Sequence, residues 1–417
     1  MDKRVVVTGM GVISPVGNNV ADFWKNLLDG VCGIDFIKAF PTEDLPVKIA
    51  GEVKDFNPAE HGIEPAFARK QDKFTVYAVA AANEAMKQAG LDSKEGGNID
   101  PFRLGVYVGS GIGGFTTQYR ETEKMIKDGA KWISPLFIPT MISNIAAGNV
   151  AIRNNACGPS LDIVTACATS THAIGEAYRA IKHGYADAII AGGSEAATIP
   201  LGIAGFANAK ALSKAEDPKY ASLPFNLNRG GFVMAEGAGM LVLEEYEHAK
   251  ARGAQIFAEV VGYGNTNDAH HVTAPRPDGV TQAKAIEMAL AEAGYDGEKD
   301  TLYINAHGTG THLNDASETA AFKLAMGEEN ARKAHISSTK SMTGHMLGAA
   351  GAVESIASIL ALKNGIVPPT INLDTPDPEC DLNYTPNKPE KVDLTIAISD
   401  SLGFGGHNGC VAFRKAE

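Results

Sequence analysis

An α/β fold, arranged as an internally duplicated αβαβα sandwich, is predicted by three observations. Apolar runs of strand length alternate along the chain with segments of helical periodicity, which argues for sheets covered by helices and mainly parallel pairing. Two similar sets of such segments follow one another, 1–250 and 251–417. The 417 residues, 44% hydrophobic and 21% charged, suffice for two core-bearing halves.

In the first set, Val5–Thr8 reads as a strand turned by Gly9-Met10-Gly11. A short helix over Ala21–Leu28 follows, then an irregular excursion over 32–65. The periodicity predicts a long helix over Gln71–Ala89, stopped by Gly90. Leu104–Val108 is an apolar strand, whereas 130–150 mixes aromatic residues and prolines without a period and suits a partner surface or pocket wall. Leu161–Val164 reads as a buried strand entering a helix that ends near Gly184, and Ala188–Gly192 and Ala238–Glu244 are further strands. In the second set, strands are expected at Phe257–Tyr263, Thr301–Ala306, His335–Ser338, Leu394–Ile398 and Cys410–Phe413. Helices are expected at Gln282–Ala293, Ser317–Met326 and Leu347–Lys363.

Composition removes several classes. A net charge of −12 implies no broad basic surface for nucleic acid. No apolar run approaches the roughly 18 residues of a membrane span. Glycine arrives too early in the first residues for a signal peptide, so a cytoplasmic setting is expected. Cys32, Cys157, Cys167, Cys380 and Cys410 are odd in number and never spaced as C-x-x-C, which fits neither a disulfide framework nor a zinc site; no metal is expected.

The chemistry centres on Cys167, in Val164-Thr165-Ala166-Cys167-Ala168-Thr169-Ser170. At a strand-to-helix corner, free backbone N–H groups and the helix dipole favour a thiolate and can hold an oxyanion. Downstream lie Asn305-Ala306-His307-Gly308-Thr309-Gly310-Thr311, Ser338-Thr339-Lys340-Ser341-Met342-Thr343-Gly344-His345 and Gly403-Phe404-Gly405-Gly406-His407-Asn408-Gly409. Each has a bland reading: a buried structural cysteine, a structural histidine, a solvated lysine, a tight turn. Together, at strand ends of an α/β chain, they suit one use. A thiolate takes an acyl group from a thioester, and two neutral imidazoles hold a second thioester carbonyl as it becomes an enolate. Glu354 is placed to pair with Lys340.

These four motifs, with TGMGVISPVG at the start and GAGMLVLEEYEHAKARGA in the middle, closely resemble the condensing enzymes, the elongating β-ketoacyl-[acyl-carrier-protein] synthases, over nearly the whole chain. The resemblance implies a thiolase-like fold, a homodimer, acyl- and malonyl-carrier proteins as partners, and no resident cofactor, since phosphopantetheine arrives on the carrier. It implies Cys167 as nucleophile and His307 and His345 as the groups that bind the malonyl carbonyl and promote decarboxylation. Lys340, paired with Glu354, organises the site. Backbone N–H groups of Cys167 and Phe404 form the oxyanion hole, and the Phe404 ring gates the acyl chain. Thr309 and Thr311 hydrogen-bond the phosphopantetheine arm, and Ile112 and Phe206 shape the acyl pocket. Arg69, Lys70, Lys73 and Lys210 are the expected carrier-docking cations.

Two departures stand out. Asp400 and Leu402 occupy positions where the family pattern has asparagine and phenylalanine. The loop 228–231, Asn-Arg-Gly-Gly, lacks the acidic residue common before its second glycine.

Several rivals fit less well. Gly109-Ser110-Gly111-Ile112-Gly113-Gly114 matches G-x-G-x-x-G of dinucleotide-binding oxidoreductases, without the acidic strand end that fingerprint wants. Ser337-Ser338-Thr339-Lys340 matches S-x-x-K of serine acyl enzymes, without their companion motifs. Asp400-Ser401-Leu402 mimics a pantetheine attachment triplet, but no carrier domain fits in the residues that follow. A thiolase would need a second catalytic cysteine, for which only Cys410 lies near a motif, and a non-catalytic chain-length partner would lack Cys167. A polyketide ketosynthase remains the alternative.

Overall fold

The computed structural model describes residues 2–416. Ten strands form one sheet: β1 Val5–Ile13, β2 Leu104–Gly109, β3 Ser160–Leu161, β4 Ala188–Glu195, β5 Gly237–Glu245, β6 Ala258–Asn267, β7 Leu302–Asn305, β8 His335–Ser337, β9 Ile396–Gly403 and β10 His407–Arg414. Their order is β3-β2-β4-β5-β1-β6-β10-β9-β7-β8. The second five strands repeat the order of the first five about the β1–β6 seam. That seam is short, joining Val5, Val6 and Val7 to Val260, Glu259 and Ala258.

Five helices supply the other layers: α1 Lys73–Ala89, α2 Thr169–Lys182, α3 Val280–Glu292, α4 His312–Met326 and α5 Ala350–Asn364. α1 packs on β1, β5 and β4, and α3 packs on β6 and β10 with α4 beside it. α2 and α5 touch strands of both halves and form the middle layer. Every residue of α5 from Ala350 to Leu362 is buried, as expected of a helix covered on all sides. One core, with Ile174, Ile181, Val353 and Ile356, fills the middle, and two others fill the spaces under α1 and under α3 with α4. This is the αβαβα sandwich.

Pairing differs from the expectation of mainly parallel strands. β3/β2, β2/β4, β9/β7 and β7/β8 are parallel. β4/β5, β5/β1, β1/β6, β6/β10 and β10/β9 are antiparallel. Apolar runs report burial on both faces and say nothing of strand direction.

The first strand also continues through the supposed turn to Ile13. A Cβ at Gly9 would lie 2.1 Å from the Ala85 carbonyl oxygen of α1, and one at Gly11 would lie 1.9 Å from that of Ala81. These glycines admit the helix backbone rather than bend the chain. The run Leu161–Val164 is not a buried strand. Only Ser160 and Leu161 pair, at the sheet edge, and Leu161 and Val164 are 51% and 49% exposed. The segment 130–150 holds short helices, Phe137–Met141 and Ile145–Arg153. No helix among the described residues is long and apolar enough to cross a membrane.

Candidate active site

Cys167 sits in a single 3₁₀ turn, Ala166–Ala168, which runs directly into α2. Ala166 is held at φ +50°, a left-handed conformation that costs a non-glycine residue about 1–3 kcal/mol. The turn is pinned by Thr165 N–H donating to Thr169 Oγ1 at 2.9 Å and by Ala168 N–H donating to Thr165 O at 3.0 Å. Above it lies the end of β9. A Cβ at Gly403 would stand 2.7 Å from Thr165 O and 3.2 Å from Cys167 N, so only glycine lets this strand reach the turn. The approach brings the Phe404 N–H onto the thiol of Cys167.

His307 follows β7 directly. Its N–H donates to Glu318 Oε1 at 2.6 Å, and that of Gly308 donates to Glu318 Oε2 at 2.9 Å, so a buried carboxylate on α4 fixes the backbone at the histidine. His345 is held by main-chain bonds, its N–H to Val233 O at 2.7 Å and its carbonyl accepting from Ala235 N–H at 2.9 Å. The two imidazole centroids are 5.2 Å apart with planes at 87°. Neither Nδ1 has a partner among the described residues, so each ring keeps hydrogen-bonding capacity for a substrate. Lys340, 1% exposed, donates to Glu354 on α5.

Burial and the Lys340 ammonium push both histidines well below the usual imidazole range, so they are neutral, as the sequence chemistry requires. The cysteine corrects an expectation. Burial pushes its thiol up to about 12, opposed by Lys340 and the Phe404 N–H, so the resting residue is a thiol despite its place at a helix start. Burial likewise raises Glu354 to about 7, opposed by Lys340.

A cavity of about 360 Å³ gathers Cys167, Phe206, Lys210, His307, Thr309, Thr311, His345 and Phe404 in its walls. The Thr309 and Thr311 hydroxyls are 3.2 Å apart. The Phe404 ring lies 6.2 Å from that of Phe206, which in turn meets Phe232 at 5.6 Å. Lys340 and Glu354 stand behind the wall. Ile112 does not line this cavity and is 39% exposed. Arg69, Lys70 and Lys73 are exposed outside it, and Lys73 pairs with buried Glu236 at 3.6 Å.

Three carboxylates that matter here were not singled out from sequence: Glu318, Glu195 and Asp315. Glu195, at the end of β4, accepts from Ser110 Oγ at 2.8 Å and from the N–H groups of Gly111, Ile112 and Gly348 at 2.8, 3.2 and 3.1 Å. The glycine-rich loop after β2 therefore wraps an internal carboxyl group, which burial raises to about 7 and which takes the donors a pyrophosphate would need. Asp315 accepts from Phe225 N–H at 2.8 Å and lies 3.7 Å from buried Arg229. Cys410 is fully buried on β10 and Cys380 lies in the core under α3, so neither serves as a second catalytic cysteine.

Comparison with known proteins identifies the family. The profile of the β-ketoacyl synthase N-terminal domain matches residues 2–249, and that of the C-terminal domain matches 257–374. The chain is 49% identical over 416 residues to 3-oxoacyl-[acyl-carrier-protein] synthase 2 of Staphylococcus aureus strain COL, covering 100% of this chain and 99% of that one. It is 48% identical over 414 residues to the enzyme of that name from Vibrio harveyi, covering 99% of each. Among solved structures, a type II polyketide acyl-carrier protein in complex with its hexaketide-bound ketosynthase superposes with a TM-score of 0.91 at 37% identity. A β-ketoacyl synthase from Burkholderia phymatum STM815 gives 0.90 at 33%; both comparisons cover 100% of each chain. The chain belongs to the β-ketoacyl synthase family.

Proposed function

We propose that the protein catalyses the decarboxylating condensation of an acyl-enzyme with malonyl-acyl-carrier protein, giving 3-oxoacyl-acyl-carrier protein and CO2, in fatty acid elongation. The observation that carries this reading is the meeting of Cys167, His307 and His345 in the wall of one cavity. In the first half-reaction, Cys167 Sγ attacks the acyl thioester carbonyl. The negative charge on its oxygen is held by the N–H groups of Cys167 and Phe404, and the carrier thiol leaves with a proton. In the second, the neutral imidazoles of His307 and His345 hydrogen-bond the malonyl thioester carbonyl, and loss of CO2 leaves an enolate. Its carbon attacks the acyl group, and the Cys167 thiolate departs. The Lys340 ammonium lowers the cost of that thiolate, and the Glu354 carboxylate offsets part of that effect.

In this reading residues 1–250 supply the nucleophile and 251–417 the two histidines. Thr309 and Thr311 bind the phosphopantetheine arm, which arrives on the carrier, so no resident cofactor is needed. The Phe404 ring gates the entrance beside Phe206. Lys210 at the mouth, with Arg69, Lys70 and Lys73, meets an acidic carrier. The setting in this reading is cytoplasmic, and the assembly is a homodimer, which an apolar face supports: Ile126, Ile138 and Ile152 are 80%, 54% and 79% exposed on contiguous helices, beside the open edge of β3. Ile112 lies on that part of the chain, and a second copy would complete the acyl pocket around it.

The 37% identical polyketide ketosynthase keeps a second reading in view, and a product assay separates the two. Acyl- and malonyl-carrier proteins are mixed with the enzyme across primer lengths. Equal amounts of CO2 and 3-oxoacyl product, formed once per primer and absent with Cys167→Ala, are expected. Repeated extension of the unreduced product would instead favour the polyketide role.

A further inference from the structure

Asp400 and Glu318 form an acid pair behind His307. Asp400, 2% exposed, is on β9, which pairs with β7, and His307 lies two residues past the end of β7. Its carboxyl lies within hydrogen-bonding reach of that of Glu318, which is fully buried. Two facing carboxylates so placed cannot both be ionised. Glu318 has spent both oxygens as acceptors, one for the His307 N–H and one for that of Gly308. The His307 amide is near Asp400 too but points at Glu318, so neither Asp400 oxygen receives a well-formed bond from an N–H or O–H among the described residues. Asn314 Nδ2 also donates to Glu318 Oε2, at 3.3 Å. A carboxyl with no donors, facing a carboxylate with three, is the one that carries a proton, and it can donate that proton to its neighbour.

We infer that Asp400 is a positioning residue, whose carboxyl proton bridges to Glu318 and holds the His307 backbone, and whose ionisation sets the alkaline limit of the reaction. The inference rests on the condensing reading and deepens it. The charged and titratable groups around the pair are few, and besides His307 they include the buried Tyr384, which faces Glu318. Asp315 shares α4 with Glu318 and faces Arg229. Lys340 and Glu354 face Asp400 from the turn before His345 and from α5, and Cys410 faces it across β10. Only Lys340 and Arg229 are cationic, and each has its own carboxylate partner. Loss of the bridging proton therefore adds an uncompensated negative charge. It repels Glu318 from the His307 amide and disfavours the Cys167 thiolate.

The test is the pH dependence of malonyl-carrier decarboxylation, between about pH 6 and pH 10, for the wild-type chain, Asp400→Asn and Asp400→Leu. Asparagine keeps a donor toward Glu318 and cannot ionise; leucine has none. The expected result is an alkaline limb in the wild type that moves up by at least about one pH unit in Asp400→Asn. Asp400→Leu should be at least about tenfold slower than Asp400→Asn at every pH. Superimposable limbs for wild type and Asp400→Asn overturn the inference, as does full activity of Asp400→Leu. If the leucine variant fails to fold, the first comparison decides alone.

Melting temperature reads the same proton without turnover. A carboxyl raised in the fold costs stability as pH climbs from the ordinary carboxylate range to its folded value. Asp400→Asn should gain on the wild type as pH rises, and a constant difference overturns the inference. A wild type that melts as expected yet decarboxylates at no pH counts against the condensing reading alone.

Discussion

The two halves of the sandwich build the same turn twice and use it once. Ala166-Cys167-Ala168 leads into α2, and Leu347-Gly348-Ala349 leads into α5. Both begin on a left-handed residue, Ala166 at φ +50° and Leu347 at φ +47°. In the first, the facing strand end is Gly403, which brings the Phe404 N–H to the cysteine and no carboxylate. In the second, the facing strand end is Glu195, and its carboxylate accepts the Gly348 N–H. A Cβ at 348 would stand 2.5 Å from Gly111 N and 2.8 Å from Glu195 Oε2. One turn is open to an incoming oxyanion, and the other is already filled by a carboxyl group of the protein. The fold supplies the corner, and the residue opposite decides whether it is a site or a joint.

The comparison can be broken most severely at the open turn. Cys167→Ala should lower condensation by at least about 10³-fold, since no other thiol among the described residues lines the cavity, and a carrier-coupled assay reads this directly. Adding Gly348→Cys to that variant should restore nothing, because the second turn has no room. His307→Ala and His345→Ala should each slow decarboxylation by about 10²–10⁴-fold while leaving acyl transfer to Cys167 measurable.

At the closed turn the effect is on stability. Gly348→Ala should cost about 1–3 kcal/mol by overpacking, and Glu195→Gln about as much, because its amide turns a donor toward backbone N–H groups. Denaturant melts check both, and an unchanged midpoint for Gly348→Ala would show that the second turn is as open as the first. The smallest effect expected is at the exposed cations outside the cavity. Reversing the charge of Lys70 and Lys73 together should raise KM for carrier substrates severalfold with little change for a small thioester.

Electrostatics sharpens the contrast further. With the Cys167 thiol near 12, its thiolate fraction grows throughout the neutral range, so alkylation by a small haloacetamide should accelerate about tenfold per pH unit. A plateau near neutrality would mean that Lys340 and the helix start lower the thiol far more than burial raises it.

Much of this was legible in the sequence where side chains carry a pattern. The apolar runs located the strands, and glycines marked the ends of α1 and α3 at Gly90 and Gly294. The junction at Cys167 followed from a strand-like run meeting a helical period, although that run proved to be exposed. What was lost depends on partners remote in sequence. Gly9 and Gly11 look like a turn until α1 is laid across them. Strand direction is set by which strands become neighbours, which no local period encodes. Glu195 and Glu318 pass for surface charges because donors such as Gly348 N–H and His307 N–H belong to other elements. Their signal was present in part: Glu195 ends an otherwise apolar strand, and Asp315 and Glu318 stand three apart on α4.

The central claim is that acyl groups land on the open turn and nowhere else. Intact mass after mixing with an acyl-carrier thioester, followed by peptide mapping, tests it most directly. The expected result is one acyl adduct, on Cys167, discharged when malonyl-carrier protein is added. An adduct on Cys32, Cys157, Cys380 or Cys410, or none on a folded protein, would contradict it.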